Sequence, residues 1–442
     1  MLREEDITIR LKCQQYSCEC YMRDPEETRS VLLFESRQRT EDVRCPYCQG
    51  PVHIQGWTIR TLRDIPIWTG ISQEISFNSH RYLCTKCGRT HTEEIPLQYP
   101  GTRITQRAAA FIRSMLLEKV SIKTIQHITG IHWETIRNIH VSAMETTLQK
   151  RQEELKASGY RPRFLAVDEF AIHKGHTYAT CVMDLESGEV LWVGSGRSKE
   201  DFRAFFDEID PSFMADVKAI AMDMNASYHL VVKEKMPGVQ IVYDRYHMQA
   251  QYGKEVLGVV RLEEARRHKA ASQELSGQLA NKPKEIRQAL KEQLLREKQE
   301  YSKIKKLRWT LLTNGEKLSE TAADRLQSIL DEHSDLAVCY AMKEEMISLF
   351  KLRDPDQARE GWQKWFAAAK QSRIPALIRF AQLKEPRLPG LIAHAIFPIS
   401  TGKLEGFNNK IKVAKRVGFG YRDDRYFFML VRMLSLPSHA FP

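Results

Sequence analysis

The spacing of apolar positions changes along the chain, and each change marks a different kind of structure. In the first hundred residues, Ser30 to Phe34 and Ile75 to Leu83 alternate or cluster as short strands, punctuated by Pro66, Pro96 and Pro100. Pro100-Gly101 marks a boundary. Beyond it Ile104, Ala108, Phe111, Ile112 and Met115 recur at helical spacing. Ser121 then precedes a short helix, Ile122 to Thr129, which ends at Gly130. Trp133 opens a third helix with Ile136, Ile139 and Val141. Helix, short helix, glycine turn, helix is the layout of a helix-turn-helix.

From 161 to 247 the pattern becomes that of a mixed α/β segment. Phe164 to Phe170 is an apolar strand ending in acids. Tyr178 to Met183 and Val190 to Val193 are two more, joined by a turn at Glu186-Ser187-Gly188. Lys199 to Ile209 reads as a helix, Val217 to Met222 as a fourth strand, Ala226 to Lys235 as a helix and Val239 to Tyr243 as a fifth strand. Residues 248–395 are helical by pattern, with breaks at Pro355 and Pro375 and at the Pro386, Pro389, Gly390 cluster. A last helix runs from about Lys403 to Val417, followed by a glycine-rich, aromatic tail. The fold class expected is multidomain α/β: a mixed-sheet core with an all-helical insertion, preceded by a cysteine-rich module and a helix-turn-helix. The expected segments are 1–100, 101–155, 160–250, 251–395 and 396–442.

Composition narrows the partners. With 442 residues, 42% of them hydrophobic, the chain can bury a sizeable core, and wholesale disorder is excluded. A formal net charge of +11 suits a polyanion, of which nucleic acid is the commonest, although solubility alone also explains a basic balance. No apolar run approaches a membrane span, and Met1 to Arg10 lacks the apolar stretch of a signal peptide, so a cytoplasmic protein is expected.

Seven of the nine cysteines lie in the first 87 residues. Cys45 with Cys48 and Cys84 with Cys87 form two C-x-x-C knuckles. Thiolates two residues apart grip one edge of a tetrahedral Zn²⁺, and the second pair completes it, so one structural zinc is expected, as in a zinc ribbon. Gly50 and Gly88 follow the knuckles. Cys13, Cys18 and Cys20 have no evident fourth ligand and stay unassigned. In the helix-turn-helix, Trp133, Arg137 and Asn138 fall on the early turns that would face bases in a major groove. An ordinary trihelical linker is the alternative.

The strongest chemical signal is acidic. Asp168 and Asp223 each end a strand apolar enough to be buried, and Glu405 lies on the last helix. A buried carboxylate is costly unless something positive meets it, and two on neighbouring strand ends repel. A divalent cation resolves both problems. Asp168 and Glu169 point to opposite faces of a strand, so only one can share a face with Asp223, and Asp168 is taken as that one. Leu404, Phe407, Ile411 and Ala414 form one stripe of the last helix; Glu405, Asn408, Asn409, Lys412 and Arg416 form another, which would present Glu405 to the metals and the basic residues to a DNA backbone. A solvated amphipathic helix is the plain alternative. Gly406 beside Glu405 suggests a close approach of backbone or ligand. Asp244 and His247, after the fifth strand, read as supporting residues, with a helix cap as the simpler role for Asp244.

These runs resemble the ISL-three family of bacterial insertion-sequence transposases. The resemblance rests on the paired knuckles, on Val167-Asp168-Glu169, on Asp223 followed by Tyr228, and on Asp244-Arg245-Tyr246-His247. It continues through Leu404 to Lys412, Lys415-Arg416 and Gly418-Phe419-Gly420-Tyr421-Arg422. Glu405 lies 182 positions after Asp223, which fits the family's helical insertion; Ser400-Thr401-Gly402 departs from the usual Asn after the Ser. The resemblance implies an RNase H-like core in which Asp168, Asp223 and Glu405 hold two Mg²⁺ or Mn²⁺ ions for strand cleavage and 3′-hydroxyl attack on target DNA. It also implies binding of double-stranded terminal inverted repeats by a homodimer or larger assembly. Two rivals stay open on sequence: a DNA-binding regulator without enzymatic activity, and another RNase H-like nuclease.

Overall fold

A computed structural model describes residues 16–23, 29–36, 40–66, 72–173, 177–279, 282–418 and 420–437. Cys13 and Phe419 lie outside them, and of Cys18 and Cys20 the backbone alone is described. The chain forms two compact units, Met1–Gln152 with Lys415–Leu430, and Glu153–Ala414 with Val431–Pro442.

The first unit opens with β1 (Tyr16–Arg23), β2 (Arg29–Ser36), β3 (Val52–Arg63), β4 (Ser72–Cys84) and β5 (Thr90–Thr92). They form a sheet ordered β1-β2-β4-β3, with β5 also on β4. Three helices follow: α1 (Gln106–Leu117), α2 (Ile122–Thr129) and α3 (Trp133–Ala157). Thr105 and Ser121 cap the first two with their hydroxyls, and Gly130 ends α2 in the left-handed conformation, φ 64°. Ile112, Ile125 and Ile136 are fully buried where the three helices meet. Helix–turn–helix spacing in the sequence thus corresponds to three helices around one small core.

The second unit is built on β6 (Phe164–His173), β7 (Thr177–Asp184), β8 (Val190–Ser195), β9 (Ala219–Met222) and β10 (Gln240–Tyr243). Their order is β10-β9-β6-β7-β8. The β6-β7-β8 part is antiparallel; β9 and β10 add in parallel to β6. α4 (Lys199–Glu208) and α5 (Ala226–Lys235) supply the crossovers, and α6 (Arg245–Tyr252) leaves β10. Then come α7 (Gly258–Gln278), α8 (Lys284–Lys306), α9 (Arg308–Leu312), α10 (Glu320–Glu332), α11 (Ser334–Leu349), α12 (Pro355–Gln371), α13 (Pro375–Lys384) and α14 (Leu388–Ile396). Tyr252, Trp362, Trp365, Phe366 and Phe380 share one buried cluster with Leu165, Ile220 and Tyr243. The helical segment therefore adds to the sheet's own core. At Gly390 on α14 a Cβ would sit 3.1 Å from the Ile241 carbonyl and against the Tyr243 ring, so only glycine lets this helix close on β10.

α15 (Gly402–Val417) is docked by Leu404, Phe407 and Ile411, all buried, and by Lys403 Nζ, which donates to the Leu185 carbonyl at 2.7 Å. The aromatic tail read after it is a helix, α16 (Asp424–Ser435). The fourth strand starts at Ala219, because Val217 closes a turn onto the Met214 carbonyl.

Candidate active site

Strand register places the acids. Val167 pairs with Met222 across β6 and β9, and Met222 pairs with Tyr243 across β9 and β10. The next residues are Asp168, Asp223 and Asp244, so three carboxylates stand side by side where β9 and β10 end; β6 runs on to His173, so Asp168 lies inside its strand, where the pairing with β9 stops, and not at the strand end expected from the sequence. Asp168 is 8% exposed and accepts the Glu169 N–H at 2.8 Å. Its other oxygen accepts Asn408 Nδ2 at 2.9 Å, which ties it to α15. Asn408 is one helical turn beyond Glu405, so the bond turns the Glu405 face of α15 toward Asp168.

Burial pushes the Asp168 carboxyl up to about 6; Asp223 and Glu405 add to the rise, and the Glu169 N–H and His247 oppose it. Asp223 is raised as well, again chiefly by burial, against the Asn225 N–H and the charges of His247 and Lys384. Two carboxyls that resist ionisation, with a third close enough to raise one of them, form an electrostatically unfinished cluster. Asn408 Oδ1 is buried without a hydrogen-bond partner in the same place. An unused amide oxygen among crowded carboxylates is what a hard divalent cation would take, so these residues fit one.

Glu405 is 39% exposed and lies 3.5 Å from His247 Nε2; Thr401 Oγ1 donates to it at 3.3 Å. Asp244, His247 and Glu405 bring ligand atoms within 4.8 Å of one another. Asp244 itself is fully buried and saturated: Oδ1 accepts the N–H groups of Tyr246 and His247, and Oδ2 accepts that of Thr401 at 2.9 Å. It caps α6 and fixes the loop that starts α15. Sequence reasoning had not singled out Asn408, Thr401 or Lys384 as site residues. Asn408 stood in the polar stripe with Glu405, but its contact with a residue 240 positions away has no local signal. At Gly406 a Cβ would meet nothing within 4 Å outside its own helix, so among the described residues there is no backbone approach of the kind expected at that glycine. Asn409, Lys412 and Arg416 are exposed on α15.

In the first unit the four knuckle cysteines converge. Cys45 and Cys87 sulfurs are 3.7 Å apart, Cys48 and Cys84 sulfurs 3.5 Å, and all four lie within 4.8 Å of one another. Zn–S bonds of ~2.3 Å in a tetrahedron require S···S near ~3.8 Å, so the group fits zinc. The Cys87 and Lys86 N–H groups point at Cys84 Sγ, and the first of these leads in lowering that thiol to about 6. Gly50 is obligatory by crowding: a Cβ there would be 2.8 Å from Lys86 Cβ and 3.2 and 3.3 Å from the sulfurs of Cys48 and Cys84.

On α3, Trp133 is 42% exposed and Asn138 is exposed beside a cleft lined by Thr135, Ser142 and the 98–103 turn. Arg137 is engaged instead. Its guanidinium pairs with Asp423 and lies 5.6 Å from the Tyr426 ring centre, while His140 Nδ1 and the Tyr426 hydroxyl share a 2.6 Å hydrogen bond.

The sequence model of a family described as Transposase, the ISL3 group of DDE transposases, matches residues 165–431. That span starts in β6, ends in α16 and holds all three acids, and it puts the chain in the class of DNA transposases. The chain is 32% identical to the transposase for insertion sequence element IS1001 of Bordetella parapertussis over 94% of either chain. It is 26% identical to the transposase for IS1557 of Mycobacterium tuberculosis (strain CDC 1551 / Oshkosh) over 63% of this chain and 61% of that one. The chain belongs to the ISL-three family of insertion-sequence transposases. That membership sets aside the regulator without enzymatic activity. No helix among the described residues is long and apolar enough to cross a membrane.

Proposed function

We propose that the chain cleaves DNA strands at the ends of an insertion sequence and joins the freed 3′-hydroxyls to target DNA, with Asp168, Asp223 and Glu405 as its catalytic acids. The observation that carries the reading is that Asp168 and Asp223 stand side by side where the β6–β9 pairing stops, with α15 bonded to Asp168 through Asn408. Strand order β10-β9-β6-β7-β8 with this polarity agrees with an RNase H-like core interrupted by helices. The three acids would hold two Mg²⁺ or Mn²⁺ ions. Bound there, the ions supply an activated oxygen nucleophile and stabilise charge on the leaving 3′-oxygen.

The chain's own groups do the positioning. Asn408 fixes the rotamer of Asp168, and Thr401 steadies Glu405, itself held in place because Asp244 grips the Thr401 N–H. His247 Nε2 is buried without a hydrogen-bond partner beside Glu405, placed to hold a proton or a phosphate oxygen. Asn409, Lys412 and Arg416 offer exposed contacts to the phosphate backbone without reading sequence.

The four-cysteine module, as a zinc ribbon holding one Zn²⁺, and α2-α3, as a helix-turn-helix, would recognise the terminal inverted repeats. Trp133 and Asn138 are free to approach bases; Arg137 reaches one only by leaving Asp423. Because two ends must be brought together, the active form on DNA would be a homodimer or larger.

The test is nicking and strand transfer on DNA carrying the element's ends with Mg²⁺ or Mn²⁺. Wild type nicks and joins; Asp168→Ala and Glu405→Ala do neither. Variants as active as wild type would remove these residues from the chemistry. Preference for branched or RNA–DNA hybrid substrates over element ends would favour another RNase H-like nuclease.

A further inference from the structure

A second group of metal-ligating side chains lies in the helical segment, among residues the proposed chemistry does not use. Glu264 and His268 are four residues apart on one face of α7. Glu297 and Glu300 come from α8, and Glu332 and His333 from the junction of α10 and α11. Glu264, His268 and His333 each bring a ligand atom within 4.8 Å of the others; so do Glu300, Glu332 and His333.

Proton counting shows what is missing. His268 Nδ1 is 2.7 Å from Glu297 Oε2. An ionised carboxylate only accepts, so Nδ1 carries a proton and Nε2 is the nitrogen left facing Glu264. That nitrogen is 4.0 Å from Glu264 Oε1, which also accepts from His333 Nδ1 at 3.1 Å. Glu264 Oε2 takes Arg267 at 2.8 Å, and Glu300 takes Lys303, leaving two basic side chains against four carboxylates. His333 is 8% exposed, and its Nε2 has no hydrogen-bond partner; the buried Glu300 Oε2 has none either. Buried polar atoms are nearly always satisfied, so two orphans mark this junction as incompletely bonded.

We propose that Glu264, His268 and His333 form a His₂Glu site for a zinc-class transition-metal ion, stapling α7, α8 and the α10–α11 junction. Metal–ligand bonds of ~2.0–2.1 Å in a tetrahedron need ligand atoms ~3.4 Å apart, and the separations of 3.1 and 4.0 Å bracket that value. Glu297 stands as the carboxylate that orients a ligating histidine through its other nitrogen. When His333 Nδ1 gives its lone pair to the ion, the ring proton sits on Nε2. Two imidazoles and a carboxylate suit Zn²⁺ rather than Mg²⁺, so this centre is chemically distinct from the three acids of the core.

The experiment is zinc content and zinc K-edge X-ray absorption on the full-length protein equilibrated with micromolar Zn²⁺ and desalted. Wild type should hold two zinc ions per chain with mixed sulfur and nitrogen/oxygen coordination. His268→Gln/His333→Gln should hold one, coordinated by sulfur alone, and should show a smaller rise in melting temperature with Zn²⁺ than wild type. Cys84→Ser should keep one zinc with nitrogen/oxygen ligands only. An all-sulfur spectrum in wild type overturns the site, and that outcome needs no variant to fold. A double variant with wild-type content and spectrum overturns it equally. A wild-type spectrum without sulfur keeps this site and removes zinc from the four cysteines.

Discussion

The four thiols at Cys45, Cys48, Cys84 and Cys87 come from two turns 35 residues apart, whereas the acids come from positions 168, 223 and 405. The thiols meet with sulfurs 3.5 and 3.7 Å apart and offer four side-chain ligands, as many as a tetrahedral ion would take. Two acids stand side by side, Asp223 just past the end of β9 and Asp168 within β6, the latter pushed up to about 6, with the third carboxylate more than a third exposed on a separate helix. A closed set of four ligands holds structure; an open, charge-crowded set leaves room for substrate oxygens. Local turns built the first group, and only the tertiary fold builds the second.

The largest expected effect falls on the closed group. Cys84→Ser, or chelation, should remove zinc and unfold the knuckle module, seen as new protease cleavage between residues 40 and 100. Structural zinc contributes on the order of 10 kcal/mol to small modules. If protease resistance survives zinc loss, the closed group is not structural. Next come the acids: Asp168→Ala and Glu405→Ala should each lower the rate of nicking by ~10³-fold or more without changing the melting temperature by more than a few degrees.

Asn408→Ala should cost ~10–100-fold in rate or in apparent Mg²⁺ affinity, the usual loss when a residue that orients a ligand is removed. A rate unchanged within twofold would make the Asn408–Asp168 bond a packing feature only. The smallest effect is on stability. A carboxyl raised on folding holds its proton more tightly in the native state, so it favours folding at low pH. That advantage is lost as pH rises from the ordinary carboxylate range through about 6. Without divalent ions, Asp168→Asn should therefore be more stable than wild type at pH 8, by on the order of 1–3 kcal/mol, with the difference closing below about pH 4. Mg²⁺ should stabilise wild type alone. Denaturant melts at the two pH values check the sign, and a destabilised Asp168→Asn at pH 8 would contradict it.

Sequence legibility differs between the two groups for the same reason. The knuckles announce themselves because each pair of ligands is separated by only two residues and its geometry is local. Asp168 and Asp223 were readable because an apolar run meets an acid in each strand, although β6 continues past Asp168 to His173 where β9 ends at Met222. Strand β3 was not, since its face is largely exposed, Trp57 and Ile59 at 60% and 67%, and it lacks an alternating apolar stripe. The tail helix α16 was missed behind glycines and aromatics that read as irregular. Asn408, Thr401 and Lys384 act through contacts made only after folding, and Arg137 looked free until Asp423 was found beside it.

Convergence of the three acids on shared cations can be measured by iron-mediated oxidative cleavage of the protein backbone, with Fe²⁺ in place of Mg²⁺. Cuts near Asp168, Asp223 and Glu405 together, all suppressed by excess Mg²⁺ and all lost in Asp168→Ala, are the expected result. Cuts near only one of these positions, or cuts near Glu405 that persist in Asp168→Ala, would mean that the acids do not share a metal site.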